Sequence, residues 1–323
     1  MLEPSKPRLG TPVPQTHTPP AKAPALEVST TLVVRRRVAF LDRHPGVASW
    51  LLVLPGTIWM MLFVGIPLAS IVLFSFWRSG FAGLVPDYNV ENYAALLGGR
   101  TFWRITLWTY EVVIMALAGV IVLAYPAAYA IWRVVRDDRW KTAVLLLCIV
   151  PFWTSYLTRT ITWLPMFGRE GVVNRVLFAL GVIGEPLEIL LYTPYSMMWG
   201  LWSLYIVFMI GPLYHSMTKI DEDVMSAAAM LGATPVRTFF HIVLPLTRPG
   251  LMAGSLFVMV LGLGEFFTER VIGGAQNPML AGLILRQIDI FQWASASAIA
   301  VTLTVLTLVT VSAMLRLFDL RNV

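Results

Sequence analysis

Few side chains in this sequence could carry out covalent chemistry, and they are poorly placed for it. His17, His44, His215 and His241 are its four histidines. All of them lie in the N-terminal stretch or at the margins of long apolar runs, so serine-histidine or multi-histidine metal chemistry inside those runs is not available. No Gly-x-Ser-x-Gly elbow occurs. Cys148, the single cysteine, sits within an apolar run and reads as a small buried hydrophobe, which excludes an intrachain disulfide and two-cysteine metal spacings. A phosphate-binding loop ends in Gly-Lys, and none of Lys6, Lys22, Lys141 and Lys219 follows a glycine. What remains is carboxylates in apolar surroundings. Glu111 follows the tetrapeptide LWTY inside such a run. An unpaired carboxylate there is costly, so it either pairs with Arg159 or Arg104 or faces a wet cavity.

The elements that must hold these groups are membrane helices. Hydrophobic residues make up 57% of the chain and charged residues 13%, against about 25% charged in an ordinary soluble domain. A crossing needs about 20 apolar residues. The sequence predicts an all-α membrane protein with six transmembrane helices over 50–76, 105–132, 142–165, 192–214, 250–267 and 294–317. Most Lys and Arg, including Arg35, Arg36, Arg37, Arg133, Arg136, Arg139, Lys141, Arg237 and Arg316, fall on one side if the N-terminus is cytoplasmic. That bias places both termini in the cytoplasm. It also accounts for the formal net charge of +6 without nucleic acid as a partner.

Residues 1–45 are Pro-rich and basic and read as a disordered cytoplasmic tail. Residues 46–320 form the membrane domain. The stretch 78–100 reads as an outer loop with a short helix near Asn89. Residues 169–192 carry Arg175, Glu185 and Glu188 among apolar residues, which makes a seventh crossing expensive and suits an amphipathic element at the outer interface.

One partly polar, Pro-punctuated stretch, residues 217–249, interrupts the apolar pattern. Asp221, Glu222 and Asp223 favour the first turn of a helix, which Ala227, Ala228 and Ala229 propagate and Gly232 stops. Thr234 and Pro235 open a second short helix through Phe239, Phe240 and Ile242. Pro245 is expected to close it, and Pro249 to start the fifth span. Val224, Ala228, Leu231, Phe239 and Phe240 are then available to pack against something other than lipid.

This stretch resembles the EAA loop of permease subunits of ATP-binding cassette importers. The family pattern is Glu-Ala-Ala, three residues, Gly, nine residues, Ile, one residue, Leu-Pro; here it reads Ser226-Ala227-Ala228, Gly232, Ile242, Leu244, Pro245, with every spacing kept. Ser226 stands where the family has glutamate; the glycine bend and the apolar packing, including Phe239, need no charge at that position.

The resemblance implies a type I importer permease fold in the bacterial inner membrane. It also implies that this loop docks into a groove on one of two copies of a separate ATPase subunit, which binds ATP and magnesium, so that this chain holds no cofactor of its own. Further implied partners are a second homologous permease, an extracytoplasmic solute-binding protein, a small-molecule substrate and membrane lipid.

Two further stretches, PFWTSYLTRT (151–160) and LGLGEFFTERVIGG (261–274), are similar to the spermidine/putrescine type of permease. For a polycation, a path would combine carboxylates with aromatic faces that attract ammonium groups. Phe152, Trp153, Tyr156, Trp163, Glu265 and Glu269 fit that by residue type, with Glu265 at the outer end of span five and Glu111 as a further carboxylate. Permeases of this type resemble those for other small solutes such as opines, amino-acid derivatives and some anions, so the resemblance leaves the solute open among these. An ion-coupled secondary transporter would show internal repeats, and none is evident between the halves.

Overall fold

The computed structural model describes residues 45–80, 83–274 and 278–317. The tail assigned to residues 1–45 lies outside these, apart from Pro45. The chain divides into two units, Met1–Pro67 and Leu68–Val323.

The first unit carries α1, Pro45–Met60, a π turn, Met61–Gly65, and the start of α2, Ile66–Phe74. Pro67 offers no N–H to the carbonyl four residues back, and the wide turn just before it absorbs that loss without ending the helix. Val53–Phe74 forms one candidate membrane span.

After α2 the chain forms a hairpin, β1 Arg78–Gly80 with β2 Gly83–Val85, and the helix α3, Glu91–Gly98. The sequence reading had the helix and missed the strands, which are three residues each and too short to show alternation. Arg78 fastens the hairpin through Asp87 at 2.8 Å and Glu91 at 2.7 Å.

The remaining core is helical. The helix α4, Arg100–Arg133, runs for 34 residues, about 51 Å at 1.5 Å per residue, so it outreaches a hydrocarbon layer of about 30 Å. Its Val112, Val113, Ala116, Val120, Ala124 and Ala128 are fully buried; their spacing of three and four places them on one face. Against that face lies α9, Pro194–Met217, through Leu201, Leu204, Tyr205, Met209 and Leu213. Thr193 and Ser196 cap α9 reciprocally, with Pro194 in the first turn. The third central helix is α13, Arg248–Leu263, and the last long one is α16, Trp293–Leu317.

Two expected spans are not continuous. In place of a helix over 142–165, α5, Asp138–Trp153, ends at an extended Thr154, and α6, Tyr156–Ile161, α7, Trp163–Phe167, and α8, Val172–Ala179, follow; the stretch Tyr156–Ala179 as a whole lies at 87° to Asp138–Pro151. Pro151 lacks a donor, and the Thr154 hydroxyl takes the Pro151 carbonyl at 2.6 Å, so the local side chain replaces the helical ladder. Likewise the fifth helix stops at Leu263 rather than residue 267. Gly264, Glu265 and Phe266 then separate it from α14, Phe267–Val271, which precedes α15, Leu280–Asp289. Among the described residues, four helices are long and apolar enough to cross a membrane, and up to six crossings result if each of two bent pairs is one span. This is a multi-pass membrane protein.

The interrupting stretch folds as α10, Glu222–Met230, then α11, Pro235–Thr238, a π turn, Phe239–Val243, and α12, Leu244–Leu246. Pro245 does not close the second helix as expected. As at Pro67, a π turn precedes the proline and carries the helical path on to Thr247, where α13 leaves at a 66° bend.

Candidate functional site

The two helix breaks meet at one cavity. Its volume is about 420 Å³, and Thr154, Tyr156, Arg159, Tyr205, Glu265 and Phe266 are among its lining residues, with Leu204, Phe208 and Leu261 as apolar wall. Backbone that leaves the helical path at membrane depth is tolerated where it is packed in protein or lines a wet space. Thr154 and Ser155 break one path here, and Gly264 to Phe266 break the other.

Glu265 is the centre of this arrangement and is 4% exposed. Its Oε1 accepts from the Tyr156 hydroxyl and, at 2.7 Å, from the Thr268 N–H; its Oε2 accepts from the Tyr205 hydroxyl at 3.0 Å. One carboxylate thus joins the start of α6, the middle of α9 and the first turn of α14. Three neutral donors thus satisfy both oxygens of the buried carboxylate. Arg159 also faces the cavity. Its Nη2 donates to the Thr154 carbonyl at 3.3 Å, while its Nε is buried without a hydrogen-bond partner. The cavity therefore offers a carboxylate, a guanidinium N–H and aromatic walls.

Of the residues expected to line a path, the structure brings Tyr156 and Glu265 together. Trp163 lies on α7, where its indole N–H donates to Ser203 Oγ at 3.1 Å and its ring stacks on Phe167 at 4.8 Å; it lines a neighbouring packing contact. Trp153 is 87% exposed at the end of α5 and is not among the residues that line the cavity. The Phe152 side chain lies outside what the structure describes.

Glu269 is buried beside a separate cavity of about 220 Å³ with Arg270, Gly282, Arg286 and Asp289. Its Oε2 accepts the Met279 N–H at 2.9 Å, and Arg286 stands 3.8 Å from Oε1. A Cβ on Gly282 would collide with that carboxylate, so glycine is what lets Glu269 approach α15. Burial pushes the Glu269 carboxyl above the usual carboxylate range, against the opposing pull of the Met279 N–H and of Arg286.

Glu111 forms no ion pair with Arg159 or Arg104 among the described residues; it stands exposed on α4 between Leu107 and Ile114. The sequence reading missed Tyr205. Its signal was available: a phenol in the middle of the apolar run of α9, away from Tyr195 and Tyr214 at the helix ends, must find a partner.

The arm of α10 to α12 has the caps and the glycine bend that its spacing implied, though not the stop at Pro245. Asp221 caps α10 by accepting the Asp223 N–H at 3.1 Å, and Thr234 caps α11 from the Arg237 N–H at 3.4 Å. Gly232 takes φ +74°, a conformation that favours glycine. Ala228 and Met225 turn inward, and Ile220, Met225 and Val243 form a small core against Tyr129, Trp132, Phe239 and Ile242. Leu244 and Pro245 are half-buried, while Ser226, Ala227 and Gly232 are exposed. Of the residues expected to be free for a partner, Ala228 and Phe239 are used internally. Leu231, Phe240 and Val224 are exposed, joined by Met230 and Val236. The arm therefore presents an apolar crest.

No family model matches the chain. It is 34% identical over 249 residues, which is 76% of this chain and 85% of the relative, to the Spermidine/putrescine transport system permease protein PotB of Salmonella typhimurium (strain SL1344). It is also 34% identical over 249 residues, 76% of this chain and 89% of the relative, to the protein of the same name from Escherichia coli (strain K12). Among solved structures it resembles a chain of a bacterial alginate ABC transporter in complex with an alginate pentasaccharide-bound periplasmic protein. The TM-score is 0.69 at 17% identity, over 85% of this chain and 94% of that one, a likeness of fold.

Proposed function

The chain belongs to the family of the spermidine/putrescine permease subunits of ATP-binding cassette importers, and on that premise we propose that it forms half of a polyamine path and drives it through the arm of α10 to α12. It is a transport subunit and not an enzyme. In this reading the two bent helix pairs and the four straight spans make six crossings of a bacterial inner membrane, with both termini and the arm in the cytoplasm. The bias of Lys and Arg toward that side supports the orientation.

The apolar crest of Met230, Leu231, Val236 and Phe240 docks into a groove on one of two ATPase subunits, which bind and hydrolyse ATP with magnesium. A second permease completes the path, and an extracytoplasmic binding protein delivers the solute. ATP binding draws the arms together, and the stiffness of the arm carries that motion into the spans.

The observation that carries the polyamine reading is Glu265, a buried carboxylate facing a cavity where both helix breaks meet. An ammonium group gains from the carboxylate and from the faces of Tyr156 and Phe266, the aromatic part contributing about 0.5 to 2 kcal/mol each. The three donors already on Glu265, and Arg159 across the cavity, keep this station weak. A path must bind well enough to admit a solute and weakly enough to release it.

Arg159 supports a second reading. Its guanidinium charge at the cavity wall would suit a solute that carries a carboxylate as well as an ammonium, such as an opine or another amino-acid derivative.

The test is the ATPase activity of the reconstituted complex with its binding protein empty, loaded with spermidine or putrescine, or loaded with an amino-acid derivative. Stimulation by the polyamine-loaded form alone is expected. Stimulation only by the other ligand moves the assignment to the second reading.

A further inference from the structure

The arm is fastened to α4 as well as to α13, and the fastening is buried. Thr247 sits at the bend between α12 and α13 with no exposed surface. Its hydroxyl donates to the Val243 carbonyl at 2.8 Å, which commits its one proton. The Tyr125 hydroxyl, 2.5 Å away on α4, therefore donates to Thr247 Oγ1. Phe239 of the arm meets Tyr125 and Tyr129 edge-on, at 5.2 Å and 5.8 Å between ring centroids. Those two tyrosines are one turn apart on the same face of α4.

The opposite end of α4 has its own buried polar contact. Thr109 Oγ1 accepts the Leu280 N–H at 2.9 Å, next to the Met279 N–H held by Glu269. Tyr125 and Thr109 are sixteen positions apart, about 24 Å along the helix. Between them Val112, Val113, Ala116, Val120 and Ala124 have no exposed surface, so one face of this part of α4 is packed into the core along its whole length.

We propose that the Tyr125–Thr247 hydroxyl pair makes α4 a second output of the arm, so that arm motion reaches the Met279–Leu280 segment through α4 as well as through α13. Tyr125 is then a positioning residue for transport. The inference rests on the arm being the ATPase-coupling element, and its test is chosen to separate the two.

The complete complex, with both permeases, the ATPase and the binding protein, is assembled with Tyr125→Phe, Thr247→Val or Thr247→Ser. Hydrogen exchange of the segment around Leu280 is compared with and without ATP; this readout does not depend on which solute is carried. The wild type is expected to show a nucleotide-dependent change in exchange that shrinks in Tyr125→Phe and Thr247→Val and returns in Thr247→Ser, which keeps the hydroxyl. In parallel, spermidine imported per ATP hydrolysed is expected to fall about threefold to tenfold in the first two variants, the scale of one buried hydrogen bond. Equal exchange responses in the wild type and all three variants of an intact complex overturn the proposal. So does a wild type with no nucleotide response at the segment. An exchange response that shrinks in Tyr125→Phe and Thr247→Val and returns in Thr247→Ser, in a complex that imports no spermidine, supports the α4 output and removes only the polyamine reading.

Discussion

The Tyr205 hydroxyl donates to Glu265 Oε2 at 3.0 Å, tying the middle of α9 to the non-helical residues that separate α13 from α14. The Tyr156 hydroxyl holds the other oxygen from the start of α6. One carboxylate thus organises both helix breaks, and its structural work must be separated from any contact with solute. Glu265→Gln does so, because the amide oxygen still accepts from Thr268 and Tyr156 while its nitrogen donates to the Tyr205 oxygen. The expected outcome is an assembled complex of near wild-type melting temperature with spermidine uptake reduced by tenfold or more. Unchanged uptake and affinity would make Glu265 a structural joint only.

Tyr205→Phe asks the complementary question. It keeps the ring in the α9 core and removes one donor from a buried carboxylate, a loss of about 1 to 3 kcal/mol. The variant complex should melt several degrees below wild type, and the Glu265→Gln, Tyr205→Phe double variant should lose less than the sum of the two. Full additivity in such a cycle would show that the pair does not interact.

The arm was legible in the sequence because its signals are local. Acidic residues and Asp221 at a helix start, the alanine run, Gly232 and the Thr234-Pro235 cap each act within a few residues, and each stands where expected. The breaks were not, since Pro151 and Gly264 also occur inside helices that continue. Only the long-range partners of Glu265 and the Thr154 hydroxyl decide against continuity there. Pro245 failed as a stop signal for a similar reason: a π turn absorbs its missing donor. The pairing of Tyr205 with Glu265, 60 positions apart, depends on how α9 packs against α13, which no single sequence displays.

Gly232 separates the two short helices of the arm at φ +74°. Proline fixes φ near −65° and cannot follow, so Gly232→Pro is expected to uncouple ATP hydrolysis from uptake or to prevent assembly. Gly232→Ala, strained by about 1 kcal/mol, should keep coupling while lowering stability. Normal coupled uptake in the proline variant would count heavily against the arm as the coupling element.

Glu269 divides its work between a hydrogen bond and a charge. Its Oε2 accepts the Met279 N–H at 2.9 Å, and burial works against its ionised form. Glu269→Gln keeps the acceptor and removes a charge whose burial already costs stability, so the melting temperature should change little. Glu269→Ala leaves the Met279 N–H unpaired and should cost about 1 to 3 kcal/mol. If glutamine proved as damaging as alanine, the ion pair with Arg286 would be the dominant contribution.

Arg159 decides between the two solute readings, because the cavity it shares with Glu265 is small enough for its charge to be felt by anything inside. At an effective dielectric near 20, two unit charges about 7 Å apart interact by about 2 kcal/mol. A polycation is repelled by that amount and a carboxylate-bearing solute attracted by it. Arg159→Gln removes the charge and keeps a donor near the Thr154 carbonyl, while Arg159→Lys keeps the charge. For a polyamine, the glutamine variant should import spermidine at least as fast as wild type, and the lysine variant should match wild type. For a solute with a carboxylate, the glutamine variant should lose uptake tenfold or more and lysine should restore part of it. Uptake of radiolabelled spermidine and of an amino-acid derivative into the same proteoliposomes gives both measurements at once. A glutamine variant that loses spermidine uptake while keeping its assembly and ATPase activity would remove Glu265 as a simple ammonium station, since the guanidinium would then be needed for a cation to pass.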